Sequence, residues 1–160
     1  MAPGVAEAEA VAGHPATRLT NHYSGLDASI LGHCDNQPCI NGKGLALLRE
    51  TGNIFVMVDV PGGSQIRWFG DWCLEADSKE NGTPVVLHKC DNGRVGQWWT
   101  PQISYSPRID DGYQLVNAWS GRCLDARNPD WRRAPQPGTV LQIWDCHDWS
   151  RANQIWDIDF

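Results

Sequence analysis

At 160 residues the chain is long enough for one domain with a sizeable core and short for two. Its net charge of −6, with no run of Lys/Arg between aromatics, argues against nucleic acid as a partner. No apolar run approaches the roughly 20 residues that cross a bilayer, so no membrane insertion is expected.

Residues 1–16 are rich in Ala, Glu and Gly, and read as a flexible N-terminal arm. They have neither the basic start nor the apolar stretch of a signal peptide. From Thr17 onward a 3.6-residue period is nearly absent. Short β-branched and aromatic runs alternate with turn signals such as Asn41-Gly42, Pro61-Gly62-Gly63, Asn81-Gly82, Asn92-Gly93, Asp111-Gly112 and Pro137-Gly138. The pattern predicts an all-β domain over 17–160.

Three unequal copies of one unit follow in order, at about 17–60, 64–102 and 113–160. The first is faint: Thr20-Asn21, Ser24-Gly25-Leu26-Asp27-Ala28, Gly44-Leu45-Ala46-Leu47-Leu48 and Asn53-Ile54-Phe55. The second reads Cys73-Leu74-Glu75-Ala76, then Val85-Val86-Leu87-His88-Lys89-Cys90, then Gln97-Trp98-Trp99. The third is clearest. It runs Val116-Asn117, Ser120-Gly121, Cys123-Leu124-Asp125-Ala126, Leu141-Gln142-Ile143-Trp144-Asp145-Cys146 and Asn153-Gln154-Ile155-Trp156. Each copy has room for four short strands, and none can bury its apolar face alone. Three four-stranded units about a pseudo-threefold axis make a β-trefoil; three blades are too few to close a propeller.

The six cysteines permit fifteen pairings. Cys73 with Cys90 and Cys123 with Cys146 bracket the same stretch of their copies, which leaves Cys34 with Cys39. Disulfides imply an oxidising compartment, hence a secreted protein.

With its Cys-Leu-Asp-Ala opening, Leu-Gln-Ile-Trp-x-Cys middle and Gln-x-Trp close, the chain resembles the ricin-B-type lectin family over about Thr17–Phe160. The resemblance implies a β-trefoil that binds galactose-type or related sugars in shallow pockets, without catalysis. The residue types suit that chemistry. An indole offers an apolar platform to a sugar face, a carboxylate accepts from two neighbouring hydroxyls, and an amide both donates and accepts. Carried over from the family, Asp125 grips two hydroxyls, Trp144 stacks and Asn153 donates to a hydroxyl, while Gln142 and Gln154 orient the others. A structural role is the competing reading for the closing motifs, with Trp99 and Trp156 in the core and the glutamines bonded to backbone.

The other copies depart from the pattern. Copy two has Glu75, His88 and Gly96 at the carboxylate, platform and amide places. Copy one keeps Asp27, with its platform near Leu48 and its amide near Gly52. Residues 128–137 form an insertion in copy three, which reads equally as an overhang of the pocket by Trp131, Arg132 and Arg133 and as a solvated loop whose Trp packs on the surface. Asn81-Gly82-Thr83 is both a turn signal and a glycosylation sequon. No nucleophile, phosphate-loop or dinucleotide motif is present, and the five histidines are scattered, so no enzyme activity, cofactor or metal is expected. The expected partners are glycans or glycoproteins, with an oligomer or partner subunit supplying avidity. Two alternatives are a receptor-binding subunit, for instance of a toxin, with decayed sugar sites, and a trefoil protease inhibitor acting through 128–137.

Overall fold

Asparagine begins the same turn in copies one and three. Asn21 Oδ1 accepts from the Ser24 amide and hydroxyl, both at 3.1 Å, and Asn117 Oδ1 accepts from Ser120 in the same way. Gly25 and Gly121 then take φ of 71° and 72°, a left-handed conformation that glycine enters without strain. Copy two makes this turn through Trp68-Phe69-Gly70, one residue shorter, with Phe69 at φ 54°. Such turns bring each strand back on its predecessor and set the register of everything downstream.

The structure, a computed structural model, describes residues 16–31, 44–103, 112–130, 132–147 and 152–158, and the backbone of 33–34 and 37–38. The arm at 1–15, Trp131 and the expected Cys34–Cys39 bridge lie outside the described residues. The first copy contains β1 (Ala16–Thr17), β2 (Leu19–Asn21), β3 (Asp27–Leu31), the short pair β4 (His33–Cys34) and β5 (Gln37–Pro38), β6 (Gly44–Arg49) and β7 (Phe55–Val60). The second contains β8 (Gly63–Trp68), β9 (Trp72–Ala76), β10 (Val85–Lys89) and β11 (Trp99–Ile103). The third contains β12 (Tyr113–Asn117), β13 (Cys123–Ala126), β14 (Leu141–Trp144) and β15 (Trp156–Ile158). Single 3-10 turns, η1 (Val95–Gln97) and η2 (Ala152–Gln154), precede β11 and β15.

The first and last strands of the copies close a ring. β1 pairs β7, β7 pairs β8, β8 pairs β11, β11 pairs β12, β12 pairs β15, and β15 pairs β2, which continues the strand that β1 begins. The middle strands form three hairpins, β3–β6, β9–β10 and β13–β14. Six barrel strands with three hairpins in pseudo-threefold array are a β-trefoil.

The core lies where the three copies meet. Phe55, Trp99 and Trp156 close their respective copies and are fully buried, beside Leu19, Ile66, Leu74, Leu115 and Leu124. Each buried indole contributes roughly 4–6 kcal/mol of transfer free energy, from 150–250 Å² at about 25 cal/mol per Å². The polar edge is satisfied too: Trp99 Nε1 donates to the Leu74 carbonyl and Trp156 Nε1 to that of Leu124, both at 3.1 Å. The closing Trp residues are therefore structural. Disulfides join Cys73 to Cys90 and Cys123 to Cys146, as the repeats imply.

Superposing the copies by register corrects one reading. Cys123 faces Val116 and Trp144, and its counterpart Asp27 faces Thr20 and Arg49. Asp27 therefore stands at the place of Cys123, not of Asp125. The residue at the Asp125 place is Ser29, and the platform place is Arg49 rather than Leu48, which is core. Asp27 is spent on its own copy, accepting from Thr20 Oγ1 at 2.7 Å and the Gly52 amide at 3.1 Å.

Candidate functional site

Along β13 successive side chains alternate between faces. Leu124 and Ala126 enter the core, which turns Asp125 toward the opposite side. On the paired strand β14, Leu141 and Ile143 are core, so Gln142 and Trp144 share the face of Asp125. η2 then adds Asn153 and Gln154. The five residues expected from the sequence, Asp125, Gln142, Trp144, Asn153 and Gln154, thus come from three segments that one hairpin and one 3-10 turn bring together.

Asp125 is 3% exposed, and its carboxylate collects amide donors. Gln142 Nε2 donates to Oδ1 at 3.0 Å; Asn153 Nδ2 and Gln154 Nε2 donate to Oδ2 at 3.1 and 2.9 Å. These bonds hold the carboxylate in one orientation with its charge compensated by dipoles. Gln154 lies deepest, fully buried. It also donates to the Asp145 carbonyl and accepts from the His147 amide, so it braces the site rather than lining it.

A pocket of about 510 Å³ opens above this network, within the usual size of small-molecule sites. Asp125, Gln142 and Asn153 contribute to its lining, and Trp144, 38% exposed, forms a wall. Asn128 and Pro129 show that the 128–137 insertion does border the pocket, whereas Arg132 and Arg133 are not among its lining residues.

Further lining residues were not read from the sequence: Asn81, Gly82, Arg127 and His147. Asn81 and Gly82 come from copy two. Gly82 donates to the Ile143 carbonyl at 2.8 Å, and a Cβ on it would sit 3.7 Å from the Trp144 ring. Asn81 Nδ2 donates to Asp145 Oδ2 at 3.0 Å, while its Oδ1 accepts from the Asp145 amide and from Arg122 Nε. A loop of the neighbouring copy thus fixes the strand end that carries the platform. The sequon is this turn. An antiparallel bridge between Pro84 and Gln142 ties the same loop to β14.

The matching place in copy two is built differently. Register puts His88 at the Trp144 place and η1 puts Gly96 at the Asn153 place, as the sequence implied. Glu75 is 1% exposed. Arg94 Nε and Nη2 donate to its two oxygens, and Gln97 Nε2 donates at 2.9 Å. Burial opposes ionisation and is the largest single influence on Glu75. The hydrogen bonds from Arg94 and Gln97, with the charges of Arg94 and His88, outweigh it and leave the carboxyl below its ordinary value. The nearby cavity is smaller, about 210 Å³, and His88 is not among its lining residues; the aromatic there is Trp119 from copy three. Arg94 thus sits on the acceptor edge of Glu75. In copy one, Ser29, Arg49 and Gly52 offer neither carboxylate, indole nor amide.

Compared by sequence, the chain matches no family model and no curated protein. Compared by structure, it matches many. The designed threefold-symmetric protein ThreeFoil superposes with a TM-score of 0.70 at 18% identity, over 91% of this chain and 99% of that one. A ricin B-like lectin of Macrolepiota procera, solved in complex with lactose, superposes with a TM-score of 0.66 at 17% identity, over 93% of this chain and 97% of the lectin. The fold is that of the ricin B-like lectins. An exo-β-1,3-galactanase from Clostridium thermocellum matches with a TM-score of 0.71 at 24% identity, over 89% of this chain and 29% of that enzyme. This β-trefoil therefore recurs both as nearly a whole lectin and as a part of a larger enzyme.

Proposed function

We propose that this β-trefoil is a carbohydrate-binding module that takes galactose-type or related glycans in the copy-three pocket and performs no catalysis. One observation carries the reading. In a single pocket a buried, amide-held carboxylate faces an exposed indole, the pairing that a ring with one apolar face and neighbouring hydroxyls requires. Asp125 accepts from two hydroxyls, Trp144 stacks on the apolar face, and Asn153 meets a third polar group from η2. Gln142 and Gln154 hold the carboxylate. The trefoil neighbours that are lectins agree with this, and so does an extracellular setting for the two disulfides. One such site is shallow and binds weakly, so attachment to a partner subunit, an oligomer or a larger enzyme supplies avidity.

The test is a glycan array run on the wild-type chain, Trp144→Ala and His88→Ala. The reading expects binding by wild type and His88→Ala and none by a folded Trp144→Ala. Retained binding by Trp144→Ala together with loss in His88→Ala moves the site to copy two. A wild-type chain that binds no glycan removes the reading.

A further inference from the structure

The pocket contains a charged group that the neutral-sugar reading does not use. Arg127 follows β13, and its amide still donates to the Val140 carbonyl at 3.0 Å, so the β13–β14 ladder continues through it. Two residues along an extended segment face the same side. Arg127 therefore projects from the same face as Asp125, with its Cα about 7 Å further along. It is exposed and lines the pocket, and among the described residues no hydrogen bond or ion pair occupies its guanidinium. The neighbouring arginines are engaged: Arg122 with Asn81 and Asp145, and Arg133 with Asp130. Asp125 has its amide donors. Among the described residues the pocket therefore holds an inner carboxylate already furnished with donors and an outer cation without an anion.

We propose that the pocket is selective for acidic saccharides, whose carboxylate or sulfate is received by Arg127 while hydroxyls of the same or the adjoining sugar meet Asp125. The proposal rests on the carbohydrate-binding reading and deepens it. A planar fork of N–H donors matches a carboxylate or sulfate edge and gives a neutral hydroxymethyl no comparable partner. The separation along the strand is of the order of one pyranose ring, so both contacts can be made from one residue stacked on Trp144. About 510 Å³ leaves room for a second. The net charge of −6 works against an anionic ligand at long range, so the preference comes from the contact itself and not from steering.

The experiment is calorimetry at low salt with galacturonic acid, galactose 6-sulfate and galactose, repeated at 0.5 M NaCl and on Arg127→Gln and Arg127→Lys. Wild type is expected to bind at least one acidic sugar about threefold to tenfold more tightly than galactose. Salt should shrink that ratio, since the contact is solvent-facing. Arg127→Gln should bring it to one or below, and Arg127→Lys should restore part of it. The carboxylate and sulfate arms show which anion is preferred. Equal or weaker binding of both acidic sugars, or a ratio unchanged in Arg127→Gln, overturns the proposal and leaves the carbohydrate-binding reading standing. No binding of any sugar, acidic or neutral, removes both.

Discussion

Replacing Asp125 separates what the carboxylate does for the fold from what it does for a ligand. In Asp125→Ala three amide donors, from Gln142, Asn153 and Gln154, lose their acceptor at a site 3% exposed. An unsatisfied buried donor costs about 1–3 kcal/mol. The pocket admits water to some of them, so the low end applies and the sum is about 3 kcal/mol. For a domain of this size each kcal/mol moves Tm by roughly 2–4 °C, which predicts a fall of roughly 6–12 °C. Asp125→Asn is the informative partner. Its remaining oxygen can face Asn153 and Gln154, and Gln142 can turn its amide to accept, so stability should fall by under about 1 kcal/mol. A hydroxyl bonded to a charged acceptor gains about 1.5–3 kcal/mol, against 0.5–1.5 for a neutral one, so sugar affinity should drop about tenfold. Thermal unfolding and calorimetry on the two variants read both effects. An Asp125→Ala chain that melts within 2 °C of wild type refutes the network argument, and an Asp125→Asn chain that binds sugar as wild type does refutes the role in binding.

Other outcomes follow from the same structure. Glu75 ionises below its ordinary value in the fold, so the stability it confers is complete above the unfolded carboxyl value near 4.5 and is lost as pH falls below it. Arg94→Ala leaves burial as the dominant influence and raises that carboxyl, so the variant should lose stability as pH rises from 5 to 7, where wild type gains or holds; denaturant melts at both pH values check the sign. Because Arg94 is 43% exposed, the loss at pH 7 should be about 2 kcal/mol, below the 3–5 of a fully buried pair. Asn81→Ala should weaken sugar binding several-fold by freeing the strand end at Asp145, with Tm reduced by only a few degrees, as calorimetry and thermal melts will show. Replacing Cys123 and Cys146 by Ser removes a cross-link spanning 23 residues and should cost about 3 kcal/mol in the loop-entropy account, read by denaturant unfolding.

The fold was legible because its information is local and repeated. The Asn-x-x-Ser-Gly turns at 21–25 and 117–121, the bracketing cysteines and the closing aromatics each fix one strand relative to the next. The grouping of residues in copy three was legible for the same reason, since the five expected ones lie on one hairpin and one turn. Copy one was misaligned because Leu26-Asp27-Ala28 imitates Leu124-Asp125-Ala126. The turn spacing argued otherwise, for Asp27 follows Gly25 by two residues as Cys123 follows Gly121. Asn81 and Gly82 were missed for a different reason: they act across the boundary between copies, and nothing periodic within a copy marks that contact. Arg94 was missed because clamping a buried glutamate depends on the longer reach of Glu75 relative to Asp125, a three-dimensional matter. Arg127 had a signal, two positions after Asp125 on an extended run, that strand alternation would have exposed.

The central claim, one sugar site in copy three built on Asp125 and Trp144, is tested most directly by following tryptophan indole N–H resonances during a titration with lactose and with galacturonic acid. A single saturating isotherm in the millimolar range is expected. The largest shift should be on Trp144 (assigned by its absence in Trp144→Phe), with Trp99 and Trp156 unmoved. Shifts centred on Trp119 while Trp144 stays still, or two equivalent isotherms per chain, would contradict it.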